Sequence, residues 1–369
     1  MNKKKVLFIF SSFSFGGAEQ MTVNTAFALN KFSSEFESVV GVPAGSSLSA
    51  YSQSKQIKTV DFKCRGTLTP SGIFSLIRII LKEKISIIHV KQGKLFWTAL
   101  FMKIFFPSVK IVLHRTQDTR HKWYARYHYR FADKVLTVSE AIRRNIINVD
   151  RAPEKNVKTL YNGFDFDFFV KNADASDIIK KYGLENKTVV GTAGAMVSFE
   201  GKGQIYLMEA VSKIKKDYPD LRCLLVGDGA GRAQLEQYAE KLAISDIVIF
   251  AGYQKEIARY INAMNIFCLM SCDTEGFGNV NVEAQALSKP VITTNIGGIP
   301  ETVVDKKTAI IVKPRDSQAV ADALIKLLDD KTLALNMGIE GKKFVENSFS
   351  DTKMVSNLTA VYRDLSAQD

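Results

Sequence analysis

Cysteine is scarce: Cys64, Cys223, Cys268 and Cys272 are spread over 369 residues with no C-x₂-C pair. That excludes a disulfide framework and a zinc-ribbon type of site, and suits a reducing compartment such as the cytoplasm. Long apolar runs are missing too. The best, Lys94 to Phe106 (KLFWTALFMKIFF), is shorter than the roughly 20 residues a membrane span needs and carries Lys103 inside it. The opening MNKKKVLFIF has the basic start of a secretory signal, but no small-residue cleavage site closes it, so a strand followed by a loop over Ser11 to Gly17 is expected instead. No low-complexity tract and no repeat of about 20–50 residues is visible.

Negative charge is scarce in one half only. Up to Val170 there are 26 Lys and Arg against 12 Asp and Glu, and after it 24 against 26, so the positive excess lies entirely in the first half. An anionic partner for one domain follows, whether nucleic acid, a membrane surface or a phosphorylated substrate. Hydrophobic residues at 46% and charged residues at 24% belong to an ordinary globular chain, long enough for two domains.

What is present is a repeated pattern of short aliphatic runs, each followed by a polar or glycine-rich turn and a helical stripe. Strands are expected at Val6 to Phe10, Ser38 to Val42, Ile85 to Val90, Val109 to Leu113 and Lys134 to Val138. The second half offers Thr188 to Ala193, Leu221 to Val226, Ile247 to Phe250, Ile266 to Met270 and Val291 to Thr294. Helices are expected with stripes Ala18, Met21, Thr25, Ala26, Leu29 and Leu207, Ala210, Val211, Ile214. The fold class is therefore α/β, two Rossmann-like doubly wound domains that would face a cleft, with sites beyond the carboxyl ends of the strands. The turn Tyr161-Asn-Gly-Phe-Asp165 places the junction, giving an acceptor domain over 1–163, a donor domain over 164–349, and a C-terminal helix over 350–369 packing back towards the first.

The densest chemistry is Ser271-Cys-Asp-Thr-Glu275-Gly-Phe-Gly-Asn279-Val-Asn-Val-Glu283. It follows an apolar strand and opens into a helix at about Val280. Gly276 and Gly278 allow close backbone approach, and a helix N-terminus favours phosphate. Glu275 and Glu283 are acceptors for hydroxyls, so a ligand with central phosphates and sugars at both ends would satisfy the segment. A plain capping loop with Glu283 in solvent is the alternative.

The E-x₇-E pair within EGFGNVNVEA resembles the signature of the retaining GT-B glycosyltransferases of family 4, bacterial type. Phe15-Gly-Gly-Ala-Glu19, Tyr161-Asn-Gly163, Lys202-Gly-Gln204, Val226-Gly-Asp-Gly229 with Arg232, Phe250-Ala-Gly252 and Gly297-Gly-Ile-Pro-Glu301 resemble its other motifs, in order. The match is dense from Gly191 to Leu328 and thin in the first half. The resemblance implies a nucleotide-sugar co-substrate, a UDP- or GDP-sugar, with no metal and no other cofactor. It implies Glu283 on ribose hydroxyls, Glu275 on the transferred sugar, and Gly278, Asn279 and Val280 against sugar and diphosphate. Lys202 and Arg232 would be donor-side cations, Gly16 and Gly17 would approach the diphosphate, and His114 would lie beside the reacting sugar. The acceptor would be a glycan, a lipid-linked molecule or a lipopolysaccharide-type molecule, met at the inner face of the cytoplasmic membrane.

One departure concerns charge. The family's arginine shortly after the first strand of the donor domain is replaced by Gly194-Ala195-Met196, so Lys202, Arg222, Arg232 or a first-half residue such as Lys91 would have to balance the diphosphate. Asp165-Phe-Asp167 spells a possible metal-binding DxD, read here as structural. Gly227-Asp-Gly-Ala-Gly231 lacks the acidic partner of a dinucleotide site, and Cys268 and Cys272 lack histidine neighbours for zinc. The segment His114 to Arg144 interleaves cations with Trp123, Tyr124, Tyr127, Tyr129 and Phe131, a pattern open to a lipid interface, stacked nucleic-acid bases or a plain core. Of these, a membrane or other anionic acceptor is favoured over nucleic acid. Rival functions are another GT-B reaction, such as a nucleotide-sugar epimerase or a phosphorylase, and a non-enzymatic basic binding protein.

Overall fold

The computed structural model describes residues 3–11, 16–64, 66–91, 93–117 and 125–367. The chain divides into two units, Met1–Phe164 with Phe349–Asp369, and Asp165–Ser348.

The first unit is a parallel sheet of β1 (Lys4–Ile9), β2 (Phe36–Val42), β3 (Thr59–Asp61), β4 (Ile85–Val90), β5 (Lys110–Arg115), β6 (Lys134–Thr137) and β7 (Val157–Thr159). Its order is β3-β2-β1-β4-β5-β6-β7, so the winding reverses between β1 and β4. One face, carrying Val6, Phe8, Phe10, Ile87, Val112 and Leu136, is covered by the helix Gly17–Phe32 through Val23, Ala26 and Leu29. The helix Asp351–Ser366 covers the same face with Met354, Val355, Leu358, Val361 and Tyr362. Its seat is reinforced where Arg363 donates to Glu35 at 2.6 and 3.1 Å. At the Asn-Gly turn a side chain on Gly163 would collide with Asp351 Oδ1 at 2.6 Å, so only glycine admits this helix so closely.

The second unit is built on β8 (Thr188–Ala193), β9 (Leu221–Val226), β10 (Val248–Gly252), β11 (Ile266–Leu269), β12 (Val291–Thr294) and β13 (Ala309–Val312), in the order β10-β9-β8-β11-β12-β13. Here the reversal lies between β8 and β11. The helices Gln204–Ile214 and Ser317–Asp329 fill one face with Leu207, Ala210, Val211, Val320 and Leu324.

The strands β3, β7 and β13 were not anticipated, since runs of three or four residues carry too little periodicity to be read. The stretch KLFWTALFMKIFF forms the helix Gly93–Phe101 and the 3₁₀ turn Met102–Ile104. No helix among the described residues is long and apolar enough to cross a membrane.

Candidate active site

In the second unit the site gathers at the reversal between β8 and β11, where two connections leave the sheet in opposite directions and expose a crevice. The segment after β11 runs from Ser271 to Gly278, and its helix occupies Asn279–Ala286, one residue earlier than the sequence suggested. Gly278 caps it in the left-handed region at φ 89°, a conformation that costs other residues energy. The second glycine pair has a packing role. A Cβ on Gly297, itself at φ 54°, would strike the Glu275 carbonyl oxygen at 2.1 Å, and Gly298 N–H donates to that oxygen at 3.0 Å. The GGxPE turn thus holds the backbone of Glu275.

Lys202 reaches the same place from the connection after β8. Its Nζ lies 2.6 Å from Glu275 Oε2, and the Ser271 hydroxyl donates to that oxygen at 3.3 Å. The two residues lie 73 positions apart in sequence and are brought together by Gly203, at φ 72°, where a Cβ would sit 1.8 Å from the Met270 carbonyl. Only glycine lets the lysine loop press on the end of β11.

Glu283 lies one turn into the helix, partly buried, with no hydrogen bond or ion pair among the described residues. Withdrawal from water pushes its carboxyl up to about 8. Beneath it is a polar scaffold that sequence reasoning missed. Asn281 donates to Thr293 at 3.1 Å and Thr302 at 3.3 Å, and Gln285 donates to the Thr302 carbonyl at 2.7 Å. The available signal was Asn281 and Gln285 at i, i+4 on the inner face of the helix. On the far side the helix Lys331–Phe349 lies so close that a Cβ on Gly338 would meet the Ser288 carbonyl at 2.0 Å.

The position of the missing arginine is open ground: Ala195 is exposed and Met196 buried. The glycines of Gly227-Asp-Gly-Ala-Gly231 press on that segment, with Cβ positions 2.0 Å from the Gly194 carbonyl and 2.4 Å from that of Met196. Their role is backbone packing. Arg232 is committed to Glu236 at 2.8 Å and Asp228 at 3.3 Å. Arg222 donates to the carbonyls of Pro219 and Leu221, at the opening of β9 and so at the end of the strand away from the site. Arg315, which the sequence did not mark out, ties Glu200 and Asp273 together and donates to the Cys272 carbonyl at 3.3 Å. Lys202 is therefore the cation placed on Glu275 itself.

Asp165 caps the helix Phe166–Lys171, accepting from Phe168 N–H at 3.1 Å, while Asp167 is exposed. No group of three His, Cys, Asp or Glu suited to a metal occurs among the described residues. All four cysteines are buried and free, and burial pushes the Cys268 and Cys272 thiols up.

In the first unit the residues of interest lie at the reversal between β1 and β4. The helix opening at Gly17 has Gly16 as its N-cap and no side-chain cap. Of the loop before it, residues 12–15 lie outside the described residues. Lys91 follows β4 with its Nζ withdrawn from water and unpartnered among the described residues, and burial lowers it to about 7. His114 is buried near the end of β5. Its Nδ1 lies 3.1 Å from His89 Nε2, and its Nε2 has no partner among the described residues. Burial, with Lys91 nearby, holds both imidazoles well below their usual range. In the basic segment Tyr129 is core, with its hydroxyl on Asp150 at 3.2 Å, and His128 packs against Phe96 and Trp97. Trp123, Tyr124, Arg120, Lys122 and His121 lie outside the described residues.

Against known proteins, the family "Glycosyl transferases group 1" matches residues 174–344 and "Glycosyltransferase Family 4" matches residues 15–168. N-acetyl-alpha-D-glucosaminyl L-malate synthase of Bacillus anthracis is 31% identical over 244 residues, 65% of this chain and 63% of that protein. A GDP-mannose-dependent alpha-(1-6)-phosphatidylinositol monomannoside mannosyltransferase of Mycolicibacterium smegmatis is 32% identical over 220 residues, 57% of each. These alignments span about three-fifths of the relatives' length. Among solved structures, Anabaena HepE in complex with UDP superposes with a TM-score of 0.84 at 21% identity, over 98% of this chain and 100% of that one, which shows a shared GT-B fold.

Proposed function

The chain belongs to the family 4 glycosyltransferases, and from that membership we propose that it moves a sugar from a UDP- or GDP-sugar to a glycan or lipid-linked acceptor with retention of configuration. The observation that carries this reading is the Lys202–Glu275 pair beside a glycine-capped helix N-terminus, with Glu283, which has no partner among the described residues, one turn further on. A donor diphosphate brings negative charge to Lys202, which turns from Glu275 to the phosphate. Glu275, still held by Ser271, is then available to sugar hydroxyls, and Glu283 to the ribose. Backbone N–H groups from Gly278 to Val280 face the phosphates. The family resemblance implies a front-face substitution, in which the bond from the anomeric carbon to the leaving phosphate breaks as the acceptor oxygen attacks and that phosphate takes up the acceptor proton. The names of the relatives, one dependent on GDP-mannose and one structure holding UDP, support this donor class. The test is release of nucleotide and transfer of sugar across a panel of UDP- and GDP-sugars, with the anomeric configuration read by NMR. An inverted product refutes retention, and phosphate-dependent cleavage without transfer favours a phosphorylase.

The family resemblance implies a reaction that needs no metal, and Asp165 of the DxD accepts the capping bond of its helix. Turnover is expected to persist in EDTA. Complete loss, restored by Mn²⁺ or Mg²⁺, would revive the DxD reading.

A seat on anionic membrane, where a lipid-linked acceptor is found, is proposed from the first unit. The helix Pro70–Glu83 and the turn Met102–Ile104 leave Phe74, Leu81, Ile104 and Phe105 exposed on the half of the chain that carries the positive excess. Each cation near such a surface adds about 1 kcal/mol, and salt screens it. Arg143 is already paired with Glu140 and Glu154, so Arg126, Arg130 and Arg144 are the better targets in that segment. Phosphatidylglycerol vesicles are expected to sediment with the protein at low salt, less so with Phe74→Ser/Ile104→Ser or with the three arginines replaced by Gln, while nucleotide affinity stays unchanged. Equal sedimentation with neutral vesicles, or none with either, removes the membrane proposal.

A further inference from the structure

A chain of three buried polar side chains crosses the covered face of the first sheet. Tyr362, on the C-terminal helix, has its hydroxyl 2.6 Å from His89 Nδ1; His89 Nε2 is 3.1 Å from His114 Nδ1; and His114 Nε2 ends the chain without a partner among the described residues. The sheet explains the alignment. His89 pairs in register with Phe8 on β1 and with Val112 on β5, so His89 and His114 point to the same face one step apart. Phe8 stacks on His89 with ring centroids 4.7 Å apart, and Phe36 packs on Tyr362 at 5.3 Å. The Phe8 ring thus holds the plane of His89.

The protons in this chain have only two consistent arrangements when both imidazoles are neutral. In one, Tyr362 O–H donates to His89 Nδ1, His89 Nε2–H donates to His114 Nδ1, and His114 carries its proton on Nε2. In the other every bond is reversed, and the tyrosine proton must find a different acceptor. No such acceptor is recorded for Tyr362 among the described residues, and leaving a buried hydroxyl proton unpaired is costly. Each arrangement leaves one proton unpaired, but the reversed one also leaves the His114 Nε2 lone pair without a donor among the described residues, so the first satisfies more of the chain.

We propose that Tyr362 and His89 are positioning residues that set His114 as a hydrogen-bond donor through Nε2–H, so that it meets an oxygen of the ligand and not an N–H group. This rests on the proposed function and on the family resemblance, which implies that His114 lies beside the reacting sugar. Burial, the largest cause, keeps both rings neutral and so maintains the polarity at ordinary pH. The orphaned donor is satisfied when a sugar hydroxyl or ring oxygen arrives. The C-terminal helix thus bears on the reaction through one hydroxyl, in addition to covering the sheet.

The test is long-range ¹H–¹⁵N NMR of the histidine rings in the full chain, with assignments from single replacements of the four histidines. His114 is expected as the Nε2–H tautomer in the wild type, and as a mixture in Tyr362→Phe. Kinetically, Tyr362→Phe and His89→Leu are expected to lower kcat on the order of tenfold, the effect of one lost hydrogen bond, with little change in donor KM. His114→Gln, which keeps an N–H near the same point, is expected to exceed His114→Leu in kcat. An Nδ1–H tautomer in the wild type overturns the proposal. So does wild-type kcat in Tyr362→Phe. Should Tyr362→Phe fail to fold, the wild-type tautomer and the Gln–Leu comparison still decide. If no nucleotide sugar is turned over, the glycosyltransferase reading fails while the NMR result stands on its own.

Discussion

Lys202→Ala is expected to reduce kcat by about 10²–10³-fold, the scale on which removal of a single preorganised group facing transition-state charge is felt. The reason is geometric. In the proposed reaction charge develops on the diphosphate as the glycosidic bond breaks, and the family's usual arginine is replaced by the exposed Ala195. Arg232 and Arg315 are each held by two carboxylates, so neither turns to a ligand without breaking two ion pairs. Among the described residues Lys202 has one partner, Glu275, which the sugar itself would occupy. Arg232→Ala is therefore expected to cost much less in kcat, and Ala195→Arg in the Lys202→Ala background to restore part of the loss. Steady-state kinetics on one donor check the order. A larger loss in Arg232→Ala than in Lys202→Ala would move the diphosphate to the end of β9.

Glu283→Gln is expected to weaken nucleotide binding by about 10–100-fold while making the protein more stable at alkaline pH, on the scale of a hydrogen bond to a charged group. Its carboxyl is raised from its usual 4.5 to about 8 in the folded chain, so between these values the unfolded chain is ionised while the native one keeps its proton. Stability contributed by this group is thus present below the unfolded value and lost as pH rises towards 8. The glutamine is never ionised, so its advantage in Tm should widen from pH 5 to 8 and then level off. Binding has the opposite sign. Two ribose hydroxyls donating to Glu283 favour the carboxylate, so nucleotide binding releases a proton and affinity rises with pH up to about 8. Calorimetry in buffers of different ionisation enthalpy measures that proton directly. No proton release, with unchanged affinity in Glu283→Gln, would remove Glu283 from the ribose site.

The same residue shows why the site was only partly legible. That Glu275 and Glu283 are a pair is written in one short segment, because both lie on a single loop and helix. The polar scaffold of its helix is not, because Asn281, Gln285, Thr293 and Thr302 are gathered from three separate elements. Arg315 was invisible for a related reason. It sits at φ 61° past the four-residue β13, and nothing in its neighbourhood of sequence hints at Glu200 or Asp273.

By itself the sequence determined the alternation of strand and helix, the two parallel sheets, the segment that carries the paired glutamates and the basic bias of the first half. These are local properties, set by side-chain periodicity, by glycine at positions of positive φ and by charge counts within a window. Only the tertiary structure decided that Lys202 meets Glu275 across 73 residues, and that Tyr362 meets His89 across 273. Both meetings depend on where a sheet reverses its winding or which face a distant helix covers, and these follow from the packing of whole apolar faces. No local pattern encodes such long-range closure, because the free energy that selects it is spread over the cores of β1, β4 and β5 and of β8 and β11.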